Sequence, residues 1–118
     1  MNVLFLQYPP CSTCRKAGKW LTEHKISYDS RNIKENNPTA DELAEWIKIS
    51  GLPIKKFFNT SGQVYKQNNL KDRLPSMTDQ EQIDLLATDG MLVKRPLVIG
   101  EDFVLVGFKD GEWEERLK

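Results

Sequence analysis

A short apolar run, Val3 to Leu6, gives way to Tyr8-Pro9-Pro10 and then to Cys11-Ser12-Thr13-Cys14, and this junction constrains the chain more than any other stretch. The run is long enough for a buried strand and too short for a helix. Consecutive prolines end it, because each lacks the N–H that a β-ladder needs. From Ser12 to His24 the period changes: Ala17, Trp20 and Leu21 recur at helical spacing, with Lys and Arg between them. Ser27 to Ile33 follows as a second strand, anchored by Tyr28 and Ile33. Strand, helix, strand is a βαβ unit, whose crossover makes the two strands parallel. Both cysteines of the chain therefore stand where a strand turns into a helix.

That position carries chemistry. The first N–H groups of a helix lack partners, and the helix dipole favours negative charge beside them, so a cysteine there is drawn toward its thiolate. Arg15 and Lys16 in the first turns add positive charge. The thiolate is the form that exchanges with disulfides, which makes Cys11 the candidate nucleophile. Cys14, about one helical turn further on, is within reach to resolve a mixed disulfide on Cys11. A structural zinc site needs four Cys or His ligands, and beyond this pair the chain offers only His24, so no metal is expected. His24 itself falls at the end of the first helix, where the dipole favours it as a terminal residue rather than a base.

The middle third is helical. Thr39 and Glu42 form a capping box after Pro38, Leu43, Trp46 and Ile47 supply an apolar stripe, and Gly51 is a stop. Ile54 to Leu70, broken by Asn59-Thr60-Ser61-Gly62, is expected to make two short helical pieces around a turn. Thr78 and Glu81 open another helix with Ile83, Leu86 and Ala87 on its face and a stop at Gly90. After Lys94-Arg95-Pro96, the runs Leu97–Ile99 and Phe103–Val106 flank Gly100-Glu101-Asp102 as a hairpin, and a charged segment from Asp110 to Lys118 closes the chain as a helix. Trp20, Trp46 and Trp113 are expected on packed helix faces, and Glu112, Glu114 and Glu115 on a solvated one. With no repeat and no linker, the 118 residues are expected to form one domain.

Composition narrows the function. Lys plus Arg and Asp plus Glu each number 17, a balance that argues against direct binding of nucleic acid through its phosphates. Any affinity for anions must then be local, built from the helix terminus, Arg15, Lys16 and Arg95. No apolar run spans a bilayer, and the N-terminus lacks the pattern of a signal peptide, so the expected location is the cytoplasm, as a monomer away from membranes. Two cysteines in a reducing compartment point to chemistry rather than stapling.

The order βα-β, helices, ββ-α with Cys-Ser-Thr-Cys-Arg-Lys-Ala before the first helix resembles the thioredoxin fold. Together with Asn32-Ile33, Pro38-Thr39-x-x-Glu42-Leu43 and Lys94-Arg95-Pro96, it resembles the arsenate-reductase-like (ArsC/Spx) family over almost the whole chain. The resemblance implies an α/β fold: a mixed four-stranded sheet, β-α-β then β-β-α, with an all-helical insertion at about residues 39–90. It implies that Pro96 is cis and faces the active cysteine, leaving nearby backbone to pair with an extended thiol substrate. Arg95 is then a charge partner of the Cys11 thiolate or an oxyanion donor. Ser12, Thr13, Arg15, Thr60, Ser61 and Pro96 are the candidate substrate-binding residues, although Asn59, Thr60 and Ser61 are equally explained by turn chemistry next to Gly62.

The family's two kinds of member imply different functions. Its arsenate reductases use one cysteine, several arginines, and glutathione with glutaredoxin. Cys11 and Arg95 match, but Thr60-Ser61-Gly62 stands where the family has Thr-Arg-Gly, and Lys109 of Gly107-Phe108-Lys109 stands where it has another arginine. Lysine keeps the charge without the planar fork that grips an oxyanion, which argues against arsenate. Spx-like regulators share the CxxC switch followed by Arg-Lys-Ala and act by binding RNA polymerase. The segment Phe57 to Gly62 looks most like uncharacterised members bearing Phe-Phe-Asn-Thr-Ser-Gly. The resulting expectation is a thiol–disulfide redox protein with no bound cofactor, drawing electrons from glutathione or a thioredoxin- or glutaredoxin-type donor.

Overall fold

The apolar run at the N-terminus is continuous because the strand it forms is covered on both faces. In the computed structural model, which describes residues 2–117, β1 (Asn2–Gln7) pairs in parallel with β2 (Ser27–Asn32) from Asn2 opposite Ser27 to Gln7 opposite Asn32. On its other side β1 pairs antiparallel with β3 (Leu97–Ile99), and β3 pairs antiparallel with β4 (Val104–Val106). The sheet is mixed and four-stranded, in the order β2-β1-β3-β4.

Side chains alternate across a strand, so β1 feeds two cores. Val3 and Phe5 pack with Ala17 and Leu21 of α1 (Ser12–Glu23), with Val98 and Leu105, and with Trp113 and Leu117 of α6 (Asp110–Leu117). Leu6 faces the opposite side and meets Ile33, Leu43, Trp46, Phe57, Phe58 and Leu86. That second core is built almost entirely by the helices between β2 and β3. They are α2 (Ala40–Ser50), α3 (Gln63–Gln67), α4 (Leu70–Arg73) and α5 (Asp79–Leu86), with 3-10 turns at Ile54–Phe57, Leu74–Ser76 and Gly90–Leu92. Among the described residues, no helix is long and apolar enough to cross a membrane.

The start signals are used as expected. Thr39 and Glu42 exchange both capping-box bonds at α2, as do Thr78 and Glu81 at α5, and Gly51 ends α2 in the left-handed region at φ 69°. Glu42 also holds Arg31 in a bidentate pair at 2.7 and 2.9 Å. The Arg31 guanidinium, with the bonds from Thr39, outweighs partial burial and lowers the Glu42 carboxyl to about 2. One carboxylate thus caps a helix and ties it to the end of β2.

Two expectations change. The stretch from Ile54 to Leu70 is more finely divided than two pieces: a 3-10 turn and α3 flank the Asn59–Gly62 turn, and α4 begins at Leu70 after Asn69 adopts φ 54°. Helix α5 ends at Leu86 with Ala87 as its cap, so Gly90 is not its stop. Gly90 instead opens the turn that brings the chain back toward β3, where a Cβ would lie 1.7 Å from the Ile33 carbonyl oxygen. A close backbone approach, not a left-handed cap, is what requires glycine there.

Candidate functional site

Cys11 is the N-cap of α1: its backbone is extended (φ −76°, ψ 119°) and its Sγ accepts the Cys14 N–H at 3.4 Å. The residue is half-buried, while Cys14, on the inner face of α1, is 1% exposed. Both are free thiols. Partial burial is the largest single influence on Cys11 and raises its pKa. Its bonds with the Cys14 thiol and N–H, the charge of Arg95 and the Thr13 N–H together outweigh that burial, and the net shift is downward. Cys14 goes the other way, pushed up to about 12, first by burial and then by the Cys11 sulfur beside it. Two thiols one helical turn apart are thus shifted in opposite directions, Cys11 toward easier and Cys14 toward harder loss of its proton.

Tyr8, a residue the sequence pattern marks only as a strand end, organises this arrangement. Its carbonyl accepts the Cys11 N–H at 2.9 Å, and its backbone bonds to the Cys14 sulfur, favouring the thiolate there. Its ring lies 5.3 Å from the Arg95 guanidinium carbon and 5.9 Å from Lys34 Nζ. Arg95 Nε and Nη1 are buried with no hydrogen-bond acceptor among the described residues, and the Tyr8 ring gives this guanidinium a cation–π contact. The Arg95–Pro96 peptide is cis, and Pro96 is buried. Replacing Tyr8 with Leu is expected to free the guanidinium and raise the Cys11 thiol, slowing iodoacetamide alkylation at neutral pH by a factor of a few. Tyr8→Phe keeps the ring and is expected to leave the pH–rate profile in place.

Cys11 opens onto a cleft of about 1110 Å3 whose wall also holds Thr13, Asn59, Thr60, Ser61, Arg95 and Lys109. Five of the residues singled out in the sequence, Cys11, Thr13, Thr60, Ser61 and Arg95, are therefore brought together from three separate segments. The insert's turn is fastened to the segment before β3 by Asn59 N–H to the Leu92 carbonyl and Lys94 N–H to the Phe57 carbonyl, each 2.7 Å. Ser61 Oγ donates to Asn59 Oδ1 at 3.2 Å, so turn chemistry and a cleft position coexist there. Ser12 and Arg15 are exposed and lie off this wall, and Pro96 stands behind it. Arg15 Nη1 donates to the carbonyls of Pro9 and Pro10, both at 3.2 Å, bracing the loop that presents Cys11.

His24 caps the far end of α1, with its ring stacked on Trp20 and Nδ1 2.8 Å from the Trp20 carbonyl, distant from this chemistry. No cluster of three His, Cys, Asp or Glu residues that could hold a metal occurs among the described residues. The positive charge of the cleft was the signal most thoroughly hidden in the sequence. Lys55 and Lys56 in the first 3-10 turn, and Lys94 beside Arg95, reach the wall that Arg15 and Lys16 do not.

Comparison with known proteins gives concordant matches. The model of the ArsC family matches residues 6–116. A crystal structure described as that of an ArsC family related protein from Bacteroides fragilis is 64% identical, with a TM-score of 0.96 over 100% of this chain and 98% of that one. The uncharacterized protein YusI of Bacillus subtilis is 50% identical over 98% of each chain. The global transcriptional regulator Spx of Staphylococcus saprophyticus is 31% identical over 88% of this chain and 78% of its own length.

Proposed function

The chain belongs to the ArsC family, and within it we propose a thiol–disulfide redox protein in which Cys11 is the nucleophile and Cys14 the resolving thiol. The observation that carries this reading is the opposed pair itself. The Cys11 sulfur is lowered at a helix N-cap, and directly beneath it is a buried thiol pushed up to about 12. The Cys11 thiolate attacks one sulfur of a disulfide, forming a mixed disulfide and releasing one thiolate. Capping Cys11 removes the neighbouring charge and hydrogen bond that help to hold the Cys14 proton. Cys14 then loses that proton and attacks the Cys11 sulfur. The Cys11–Cys14 bond closes and a second thiol leaves. Two electrons pass from the protein to the substrate, and glutathione or a thioredoxin- or glutaredoxin-type donor restores them. Arg95 supports the thiolate from across the cleft.

Alkylation mass spectrometry after mild peroxide tests the pair. The expected product is an intramolecular Cys11–Cys14 disulfide, reversed by dithiothreitol, with Cys11 alone alkylated in the reduced protein at neutral pH. No such bond at any redox poise overturns the reading.

A second reading is a redox-responsive regulator that docks on RNA polymerase, favoured by the 31% identity to Spx. Its readout is a pull-down on RNA polymerase with reduced and oxidised protein, and binding in neither state removes it. Arsenate reduction has less support, because Ser61 and Lys109 line the cleft in place of the forked donors a tetrahedral oxyanion calls for.

A further inference from the structure

The chain carries no net charge, yet its reactive cleft is strongly cationic. Lys55, Lys56, Lys94, Arg95 and Lys109 line it against a single acidic side chain, Glu112, among the described residues. None of these four lysines makes an ion pair there: the pairs among the described residues are Lys19–Glu23 and Arg31–Glu42. Arg95 adds two buried nitrogens, Nε and Nη1, with no acceptor among the described residues.

Size argues about the occupant. At about 1110 Å3 the cleft is slightly larger than the roughly 300–1,000 Å3 of a pocket for a drug-sized organic ligand and far larger than an inorganic oxyanion needs. Leu52, Tyr65 and Phe108 give part of its wall an apolar surface, suited to the carbon skeleton of such a molecule. Several unneutralised cations around one thiolate also raise the local concentration of anionic reactants, an effect of about 10- to 1000-fold on encounter rates that salt suppresses.

We propose that this cleft selects low-molecular-weight disulfides bearing two or more carboxylate or phosphate groups, with Lys55, Lys56 and Lys109 receiving the anionic ends while Cys11 attacks the sulfur. The proposal rests on the thiol–disulfide reading above and names its substrate class. The balance is that of the exchange. The Cys11 thiolate and Cys14 thiol are oxidised to one disulfide, and the substrate disulfide is reduced to one thiolate and one thiol, so the proton of Cys14 leaves with the products.

Stopped-flow oxidation of the reduced protein by three disulfides tests it: glutathione disulfide (carboxylates), coenzyme A disulfide (phosphates) and uncharged 2-hydroxyethyl disulfide. Each rate constant is divided by that of dithiothreitol with the same disulfide, which removes intrinsic differences in leaving group. At low salt, at least one anionic disulfide is expected to exceed the neutral one by tenfold or more on this scale, with the advantage shrinking as salt rises. Whichever anionic disulfide is faster tells carboxylate from phosphate. The combined change Lys55→Gln, Lys56→Gln and Lys109→Gln is expected to reduce the anionic-to-neutral ratio about tenfold. Equal normalised rates for all three disulfides, or a ratio indifferent to both salt and the lysine changes, overturns the proposal. Failure of every disulfide to oxidise the pair overturns instead the thiol–disulfide reading beneath it.

Discussion

Replacing Cys14 with Ser is expected to turn Cys11 into a trap. After a disulfide is added, the variant should hold close to one mixed disulfide per chain. The unaltered protein should hold on the order of tenfold less, because Cys14 clears the adduct within the chain. Intact-mass spectrometry under non-reducing conditions reads the adduct directly as the added mass of one substrate thiol. The reasoning is geometric. Cys14 is 1% exposed beneath Cys11 and bonded to it through its N–H, so the two residues are held together as the proposed resolving step requires. Serine keeps the size and a polar group that the Tyr8 backbone can still reach. Burying a hydroxyl there is expected to cost about 1–2 kcal/mol, too little to unfold an ordinary domain. An adduct that is absent from the variant, or equally abundant in both proteins, would show that Cys14 does not resolve.

The second large effect belongs to Gly90→Ala. A Cβ at this position lies 1.7 Å from the Ile33 carbonyl oxygen and 2.7 Å from its carbonyl carbon, so one of the two backbones must move. Ile33 has little freedom: it is 0% exposed, and its N–H is bonded to the Gln7 carbonyl at 2.9 Å. The displacement therefore falls on the return segment from Gly90, which carries Leu92 and Val93 in the core, the bridge from Val93 to Phe58, and then Arg95. Destabilisation of about 3 kcal/mol is expected, at the upper end for overpacking. It should lower the melting temperature by roughly 10 °C in a chain of this length. The same shift should withdraw Arg95 from Cys11 and slow alkylation at neutral pH, coupling a fold defect to a site defect. A melting curve unchanged by alanine would refute the close approach.

Much of the fold was legible because its signals are local. Prolines after Leu6, the two capping boxes, and the period change at Ser12 each act within a few residues, and each marks an element boundary that the structure keeps. Gly90 looks like a helix stop in the sequence because its actual constraint is a contact with Ile33, more than fifty positions away, which no local pattern records. The same division holds at the site. Cys11 and Cys14 could be recognised from the strand–helix turn, since the helix end that lowers Cys11 is made by their own segment. Arg15 and Lys16 are near Cys11 in sequence, but α1 turns its buried face through Cys14, Ala17 and Leu21 and leaves both of them exposed.

Local motifs suffice to identify the βαβ start, the hairpin, the cysteine pair, and the family to which they belong. What surrounds the Cys11 sulfur follows from packing: the Tyr8 ring against Arg95, the 2.7 Å bonds that clasp the insert to the segment before β3, and the lysines that make the cleft cationic. Backbone propensity and helix-end electrostatics operate over a few residues and survive in one dimension. The field at Cys11 is a sum over charges from segments far apart in sequence, and it exists only once the two cores have packed against opposite faces of the sheet.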